Sequence, residues 1–538
     1  MTLVVISDTA DLPPALILKS ASMLWYNRSM VAHKKDKLTV TYQTRISGNE
    51  DALTAYANLY GTLQRRMFAD VSAGHAASSL KSKYISHNRI PARMFNALRV
   101  SLEGRMSSAR ESQKLHRDTL QGLIARANRR IASLSLKGKP HQVHHKRRRL
   151  ENLRHRLEKV ESDIDAGRLR LCFGSRKLWR AQHHLQANGY TDHEEWLSDW
   201  RDARGSEFFV LGSRDESAGC QLCVATVADD GALTLRLRMP DCLAEQYGKY
   251  ITVVNVRFAY GHEHIVAALQ SNADYRKYRR QHGESAARES RLGQAISYRF
   301  KRDRRGWRVF TTTKMVRTPL VTDRRLGAIG VDLNADHLAV TETDRSGNLV
   351  NAFSVPLVTY GKSAHQTEAL IGDAVARVVE YARESRKPLV IERLDFRQKR
   401  AALEGESPGR SRMLSSFSYG KVKAYLLSRG YREGVEVFEV NPAYSSMIGR
   451  VKYMERYGLS VHQAAALVLA RRLLGCREGI PRRWIVPLDR GGHVTFRVPV
   501  RKRVKHVWTY WAAVSRQLGP ALAAQHRLVR ANPVRAPA

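Results

Sequence analysis

Two carboxylates close apolar runs in the C-terminal half of the chain: Asp332 in Ile329-Gly-Val-Asp-Leu-Asn334, and Glu392 in Leu389-Val-Ile-Glu-Arg393. Taken singly, an acid at a strand end is a surface residue or a helix cap. Two acids closing neighbouring strands converge, and converging carboxylates supply the hard oxygen donors that Mg2+ takes in near-octahedral coordination. A divalent ion held that way stabilises both the attacking and the leaving oxygen of a phosphodiester during hydrolysis. Gly330, before Asp332, either lets a substrate backbone come close or relieves packing.

The surrounding pattern defines the elements that must position these acids. Leu326–Leu333, His337–Thr343 and Leu349–Phe353 read as three strands, the last two joined by the turn-forming Asp344-Arg-Ser-Gly-Asn348. A helix is expected from about His365 to Arg383, a short buried strand over Pro388–Ile391, and a helix over about Met413–Ser428. A strand over Val435–Val440 and a helix over Val461–Leu474 follow. Three strands, then helix, strand, helix, strand and helix, is the RNase H-type order.

Upstream, Leu38-Thr-Val-Thr-Tyr-Gln-Thr-Arg45 alternates as a half-buried strand, and 50–70 turns helical. Residues 80–200 read as mostly helical, with Leu150, Leu153, Leu157, Val160 and Ile164 in an a/d stripe. Lys137-Gly-Lys-Pro140 breaks this stretch into an antiparallel helical pair. Residues 111–180 hold 19 Lys and Arg against 7 Asp and Glu. A merely solvated face mixes both signs, so this imbalance favours a duplex-gripping surface. Strand-like runs at Phe208–Leu211, Cys223–Val227, Leu233–Leu237, Tyr250–Phe258 and Ile296–Phe300 suggest, with 38–45, a β-barrel interrupted by the helical insert. No internal repeat is present.

Across all 538 residues, 91 Lys and Arg stand against 50 Asp and Glu, a formal net charge of +41. A small-molecule enzyme has no use for that self-repulsion. A protein holding a polyphosphate chain gains affinity from each phosphate it neutralises. Binding to an anionic membrane would need an apolar anchor beside the basic helices, and none is seen. Five cysteines exclude a disulfide framework and suit a reducing compartment. With no signal peptide and no apolar run of about 18 residues, the expected location is the cytoplasm.

Four stretches together carry a resemblance: Ile329-Gly-Val-Asp-Leu-Asn334, Val390-Ile-Glu-Arg-Leu-Asp395, Val440-Asn-Pro-Ala-Tyr-Ser-Ser446 and Ser460-Val-His-Gln-Ala-Ala-Ala466. They resemble the successive RuvC blocks of the transposon-encoded TnpB (OrfB) family, whose descendants are the CRISPR type V effectors. Val40–Arg45 and Arg66-Met-Phe-Ala-Asp70 are similar to the way these proteins begin. Any one block is weak; four in order are specific. The resemblance implies a multidomain α/β plus α+β chain. Its parts would be an N-terminal segment (1–37), the start of a wedge-type β-barrel (38–70), a helical recognition domain (71–205), the rest of the barrel (206–320) and an RNase H-like (RuvC) nuclease domain with a basic tail (321–538). It implies an RNA-guided DNA endonuclease using Mg2+ or Mn2+, with guide RNA and double-stranded target DNA as partners. In that class base pairing reads sequence while the protein reads a short flanking motif.

The chain departs from the family twice. The family's third acid stands at the start of the last helix, where this chain has His462. Imidazole can ligate a metal or move a proton, but suits Mg2+ less than Mn2+. The metal and catalytic set is therefore expected to be Asp332, Glu392 and His462, with Asp489 a weaker substitute and Asp395 a turn residue close enough to assist. The alternatives are a cleavage-deficient RNA-guided DNA binder, acting as a repressor or targeting factor, and an integrase-type strand transferase, for which Glu404 is a poor third acid. The second departure is the zinc site. No cysteine lies between Asn441 and His462, and Cys220-Gln-Leu-Cys223 has no second pair, so no structural zinc is expected. Arg450–Tyr457 would take the finger's place beside DNA. Tyr444, Ser445 and Ser446 contact phosphate or form a turn after Pro442. Arg501–His506 binds RNA or is a solvated run, and Tyr84–Arg93 reads DNA edges or starts a helix.

Overall fold

The computed structural model describes residues 31–32, 37–290, 292–316, 318–334, 336–393, 419–479, 485–487, 493–495, 499 and 506–531. The chain divides into a unit of Lys37–Val316 and a unit of Arg317–Ala538, and the second takes in the first strand, β1 (Val31–Ala32).

In the unit Lys37–Val316, β2 (Lys37–Ile46) buries Val40, Tyr42 and Ile46 on one face, as its alternation requires. Helices α1 (Glu50–Ser72), α2 (Lys81–Asn88), α3 (Ala92–Leu136), α4 (Pro140–Asp165), α5 (Arg176–Ala181) and α6 (His193–Arg204) follow. The helical pair breaks where expected. Gly138 takes a φ of 61° between α3 and α4, and Pro140 opens α4, where its missing N–H costs nothing. Leu150 and Leu153 are buried against α3, while Leu157, Val160 and Ile164 are half-buried. Tyr84–Arg93 is a helix and its exit rather than a free edge. The Tyr84 hydroxyl donates to Asp70 Oδ2 at 2.6 Å, Arg89 pairs with Glu245, and Arg93 with Glu216.

The remaining strands are β3 (Glu207–Val210), β4 (Cys223–Val227), β5 (Leu233–Arg238), β6 (Tyr250–Val256), β7 (Ser297–Asp303) and β8 (Gly306–Val316). The expected barrel is instead two open sheets: an antiparallel four-stranded sheet in the order β2-β8-β7-β3, and a three-stranded sheet β4-β5-β6. Among the described residues neither closes on itself. The reason lies after β3, which pairs over only four residues. Gly212 lies so close to the Ile296 and Gly219 carbonyls that a Cβ would sit 2.0 and 2.3 Å from them. The chain turns there instead of running on as an edge strand. The short helix α7 (Ala244–Tyr247) and the long α8 (His262–Glu289) complete the unit.

The second unit carries β9 (Ala328–Leu333), β10 (His337–Thr343), β11 (Leu349–Pro356), α9 (Ala364–Glu384), β12 (Leu389–Glu392), α10 (Tyr419–Glu433) and β13 (Val437–Val440). After them come α11 (Ser445–Lys452), α12 (Met454–Tyr457), α13 (Val461–Leu473), β14 (Ile485–Pro487), β15 (His493–Thr495) and α14 (Val507–Ala531). The main sheet runs β1-β13-β12-β9-β10-β11. β9, β10 and β11 form an antiparallel meander, while β12 lies parallel to β9 and β13 parallel to β12. This is the RNase H-like order expected from the sequence. On one face Val331 and Ile391 pack with α9 and α10 residues such as Val375, Val378, Val422 and Leu426. On the other, Val390 packs with Leu469, Ala470 and Leu473 of α13. Both faces are covered, so β9 and β12 are buried throughout and read as continuous apolar runs.

Candidate active site

Strand register brings the two acids together. β12 runs parallel to β9 with Val390 opposite Gly330 and Ile391 opposite Val331, so Glu392 and Asp332 come next, side by side, at the ends of adjacent strands. Side chains alternate along a strand, so both acids share the face of Gly330 and Val390, the face that α13 covers. Gly330 serves packing. A Cβ there would lie 1.9 Å from the Ala466 carbonyl oxygen, so only glycine lets α13 lie this close.

The start of α13 is fixed by a capping box. Ser460 Oγ accepts from the Gln463 N–H, and Gln463 Oε1 accepts from the Ser460 N–H. Thr341 of β10 donates to the Gln463 carbonyl at 2.9 Å. Together these place His462 over the strand ends, with Nδ1 3.0 Å from Asp332 Oδ2. Asn334 Nδ2 donates to the same oxygen at 3.1 Å. The ring of His337 meets that of His462 edge-on, with centroids 5.2 Å apart, and its Nδ1 lies 2.7 Å from Asp336 Oδ1. Asn334 and His337 were not foreseen as part of the site. Their positions just after Asp332, on the turn into β10, are the signal that was there to read.

Asp332 and Glu392 are each 8% exposed. Tyr419, at the start of α10, senses both. Its phenol is pushed up to about 12, first by burial and then by the charges of Glu392 and Asp332. Two other buried acids of this unit have ammonium partners: Glu342 pairs with Lys387, and Glu439 with Lys423 at 2.7 Å. Among the described residues, no Lys or Arg pairs with Asp332. A buried carboxylate beside a second one, bonded only to an amide and an imidazole, is a donor set that suits a divalent cation. The three expected ligands are therefore arranged as a carboxylate pair with an imidazole bonded to one member. Among the described residues no group of three or more His, Cys, Asp or Glu is gathered around one point.

The other candidates fall as follows. Ser445 N–H donates to the Pro442 carbonyl at 3.0 Å and Tyr444 takes a φ of 60°, so this stretch is a turn, held by Arg472 on the Asn441 and Ala443 carbonyls. Of Arg450–Tyr457, Tyr453 and Met454 are core residues and Lys452 pairs with Glu478. Cys220 and Cys223 are wholly buried in the other unit. Burial pushes the Cys220 thiol up to about 12 and raises that of Cys223 well above its usual value. Asp395, Glu404, Asp489 and residues 501–505 lie outside the described residues.

No protein-family model matches the chain, and no curated protein does. Among solved structures it is similar to T. thermophilus RuvC in complex with a Holliday junction substrate, at 17% identity and a TM-score of 0.20, over 27% of this chain and 91% of that one. It is also similar to a CRISPR-Cas12f ternary complex, at 9% identity and a TM-score of 0.18, over 81% of this chain and 99% of that one. Neither likeness is close enough to carry residue roles. The strand order and the paired acids stand on the geometry above.

Proposed function

We propose that this chain is an RNA-guided DNA endonuclease, hydrolysing phosphodiesters at the Asp332–Glu392 pair after a guide RNA pairs with the target and the protein reads a flanking motif. The observation that carries the proposal is Asp332: buried, beside Glu392 on a neighbouring parallel strand, and without a Lys or Arg partner among the described residues. Asp332 and Glu392 would hold Mg2+ or Mn2+, which when bound supplies charge stabilisation at the phosphate and a more acidic water. Asn334 and His462 orient the Asp332 carboxylate. The contact of His462 Nδ1 with Asp332 Oδ2 puts an imidazole, a group that can ligate a metal or move a proton, beside the acid pair. The net charge of +41 and the basic helical hairpin support a grip on nucleic-acid backbones. The four RuvC-like blocks support the guided mode, in which pairing reads sequence. The cell compartment that fits is the prokaryotic cytoplasm.

A second reading, a guided binder that does not cut, is favoured by one contact. His462 engages an Asp332 oxygen that a cation would use. Cleavage of a labelled target with a verified guide separates the two. Under the endonuclease reading His462→Ala costs at least about 10²-fold in rate, and His462→Asp keeps or raises activity in Mg2+, since a hard oxygen replaces nitrogen. A wild type inert in both Mg2+ and Mn2+, with cutting gained in His462→Asp, assigns the binder reading.

A further inference from the structure

The unit Lys37–Val316 carries a cleft of about 620 Å3 where the chain leaves α4 and passes through α5 and α6. Its walls include four guanidinium groups, Arg170, Arg176, Arg180 and Arg204, and the indoles of Trp179 and Trp200. Among the described residues no carboxylate lines it. Arg170 pairs with Asp163 at 3.1 Å. Among the described residues Arg176, Arg180 and Arg204 have no acidic partner, and Arg204 Nε is buried with no hydrogen-bond acceptor. A second cleft of about 750 Å3 shares Arg170 and Arg176 with the first and continues the same surface.

The two indoles differ in how they are held. Trp200 is fixed: it stacks on Trp196 with centroids 5.9 Å apart, and Arg204 lies 5.5 Å over its ring. Gly174 passes so near that a Cβ there would lie 3.0 Å from the Trp200 ring. Trp196 Nε1 donates to the Leu178 carbonyl at 2.8 Å and so ties α6 to α5. Trp179, on α5, is 49% exposed, an unusual cost for an indole that only fills space.

Uncompensated guanidinium groups around an exposed indole, on two helices tied to each other, match one kind of ligand. Arginine forks suit phosphate oxygens, and an aromatic face suits an unstacked base of any sequence. A continuous duplex offers phosphates but keeps its base faces inside the stack. We propose that this cleft is a binding site for an unpaired nucleotide of a polynucleotide strand, with the base on Trp179 and the flanking phosphates on Arg176 and Arg180. The proposal rests on the nucleic-acid part of the function above, and not on cleavage.

The test uses the full-length protein, stripped of nucleic acid, with fluorescein-labelled 12-nucleotide RNA and DNA strands and the matching DNA duplex at one fixed salt concentration. Trp179→Ala is expected to weaken single-strand binding about tenfold, the usual scale for one stacked base, while duplex affinity stays within about twofold. Trp179→Phe, which keeps an aromatic face, should retain most of the affinity. Arg176→Gln and Arg180→Gln should each weaken single-strand binding and flatten its salt dependence by about one phosphate contact. A strand carrying 5-iodouridine should crosslink within residues 170–204. Loss confined to RNA assigns an RNA strand to the site, and equal loss for both assigns shared base and phosphate chemistry; either supports the proposal. Equal effects of Trp179→Ala on single strand and duplex, no effect on either, or crosslinks mapping elsewhere would overturn it. The readout needs no cutting, so an inert nuclease site would not count against it.

Discussion

Replacing Gly330 by alanine should loosen the candidate site from beneath. The added Cβ would sit 1.9 Å from the Ala466 carbonyl oxygen, 2.7 Å from its carbon and 3.1 Å from the Ala470 nitrogen. All three are helix backbone, so no side chain can swing aside. Restoring an ordinary contact moves α13 off the sheet by about 1.5 Å, and overpacking of this kind costs about 1–3 kcal/mol. For a unit of this size that is roughly 2–12 °C in melting temperature. His462 lies one turn before Ala466 and moves with it, so its 3.0 Å contact with Asp332 should stretch beyond hydrogen-bonding range. A misplacement of about 1 Å can cost about 10²-fold in rate. Thermal unfolding followed by circular dichroism, together with single-turnover cleavage, reads both effects. Gly372→Ala is the control: it lies inside α9, and its Cβ would meet only a Tyr425 ring atom at 3.9 Å. That change should stabilise by up to about 1 kcal/mol through helix propensity. A Gly330→Ala protein melting at or above the wild-type temperature would refute the reasoning.

Three further outcomes are expected. Burial alone would raise the pKa of Glu478, but Lys452, the Tyr453 hydroxyl at 2.6 Å and Arg471 at 2.9 Å override it and hold the carboxyl below its usual 4.5. Its stabilising contribution is therefore full above that value and fades as pH falls through the lower folded value. Glu478→Ala should cost up to about 3 kcal/mol near pH 7, since it strands two half-buried cations, Lys452 and Arg471. Urea unfolding should show the gap to wild type narrowing below about pH 4, and a pH-independent gap would contradict this. In native protein at pH 8, iodoacetamide should spare Cys220 and Cys223, both wholly buried. It should reach the partly exposed Cys172, Cys242 and Cys476 first. Faster labelling of Cys220 and Cys223 after chelator treatment would reveal a bound metal instead. Finally, the protein should co-purify with RNA of defined length. Random fragments removed by moderate salt would reduce this to nonspecific binding.

The two acids were legible because each interrupts an apolar run, and the register of parallel strands does the rest. The sheet order was legible for the same reason: buried parallel strands carry little but apolar residues, so their ends stand out. The helical pair announced itself through Gly138 and Pro140. The long α8 escaped because its buried residues, Ile265, Ala268, Leu269 and Tyr275, are outnumbered by charges and accompanied by a buried Asn272. β8 escaped because its centre is threonine, with Thr311 and Thr313 buried by neighbouring strands rather than by their own hydrophobicity. The barrel failed on a backbone contact at Gly212, which no side-chain pattern encodes. Tyr419 reaches the acids from another helix, and that proximity exists only after folding. His462 could be placed by the resemblance of its block, where it stands at the position of the family's third acid, but its bond to Asp332 could not.

The most direct measurement is guided cleavage against guided binding in Asp332→Ala and Glu392→Ala, each with a verified guide and its matching target in Mg2+. Under the proposed function both carboxylates would act at the scissile phosphate, while affinity would come from guide pairing and the basic surface. The expected result is cleavage by the wild type only, with target binding by both variants within about twofold of it, because neither acid contributes to backbone neutralisation. Either variant cutting at the wild-type rate would contradict the assignment of the site.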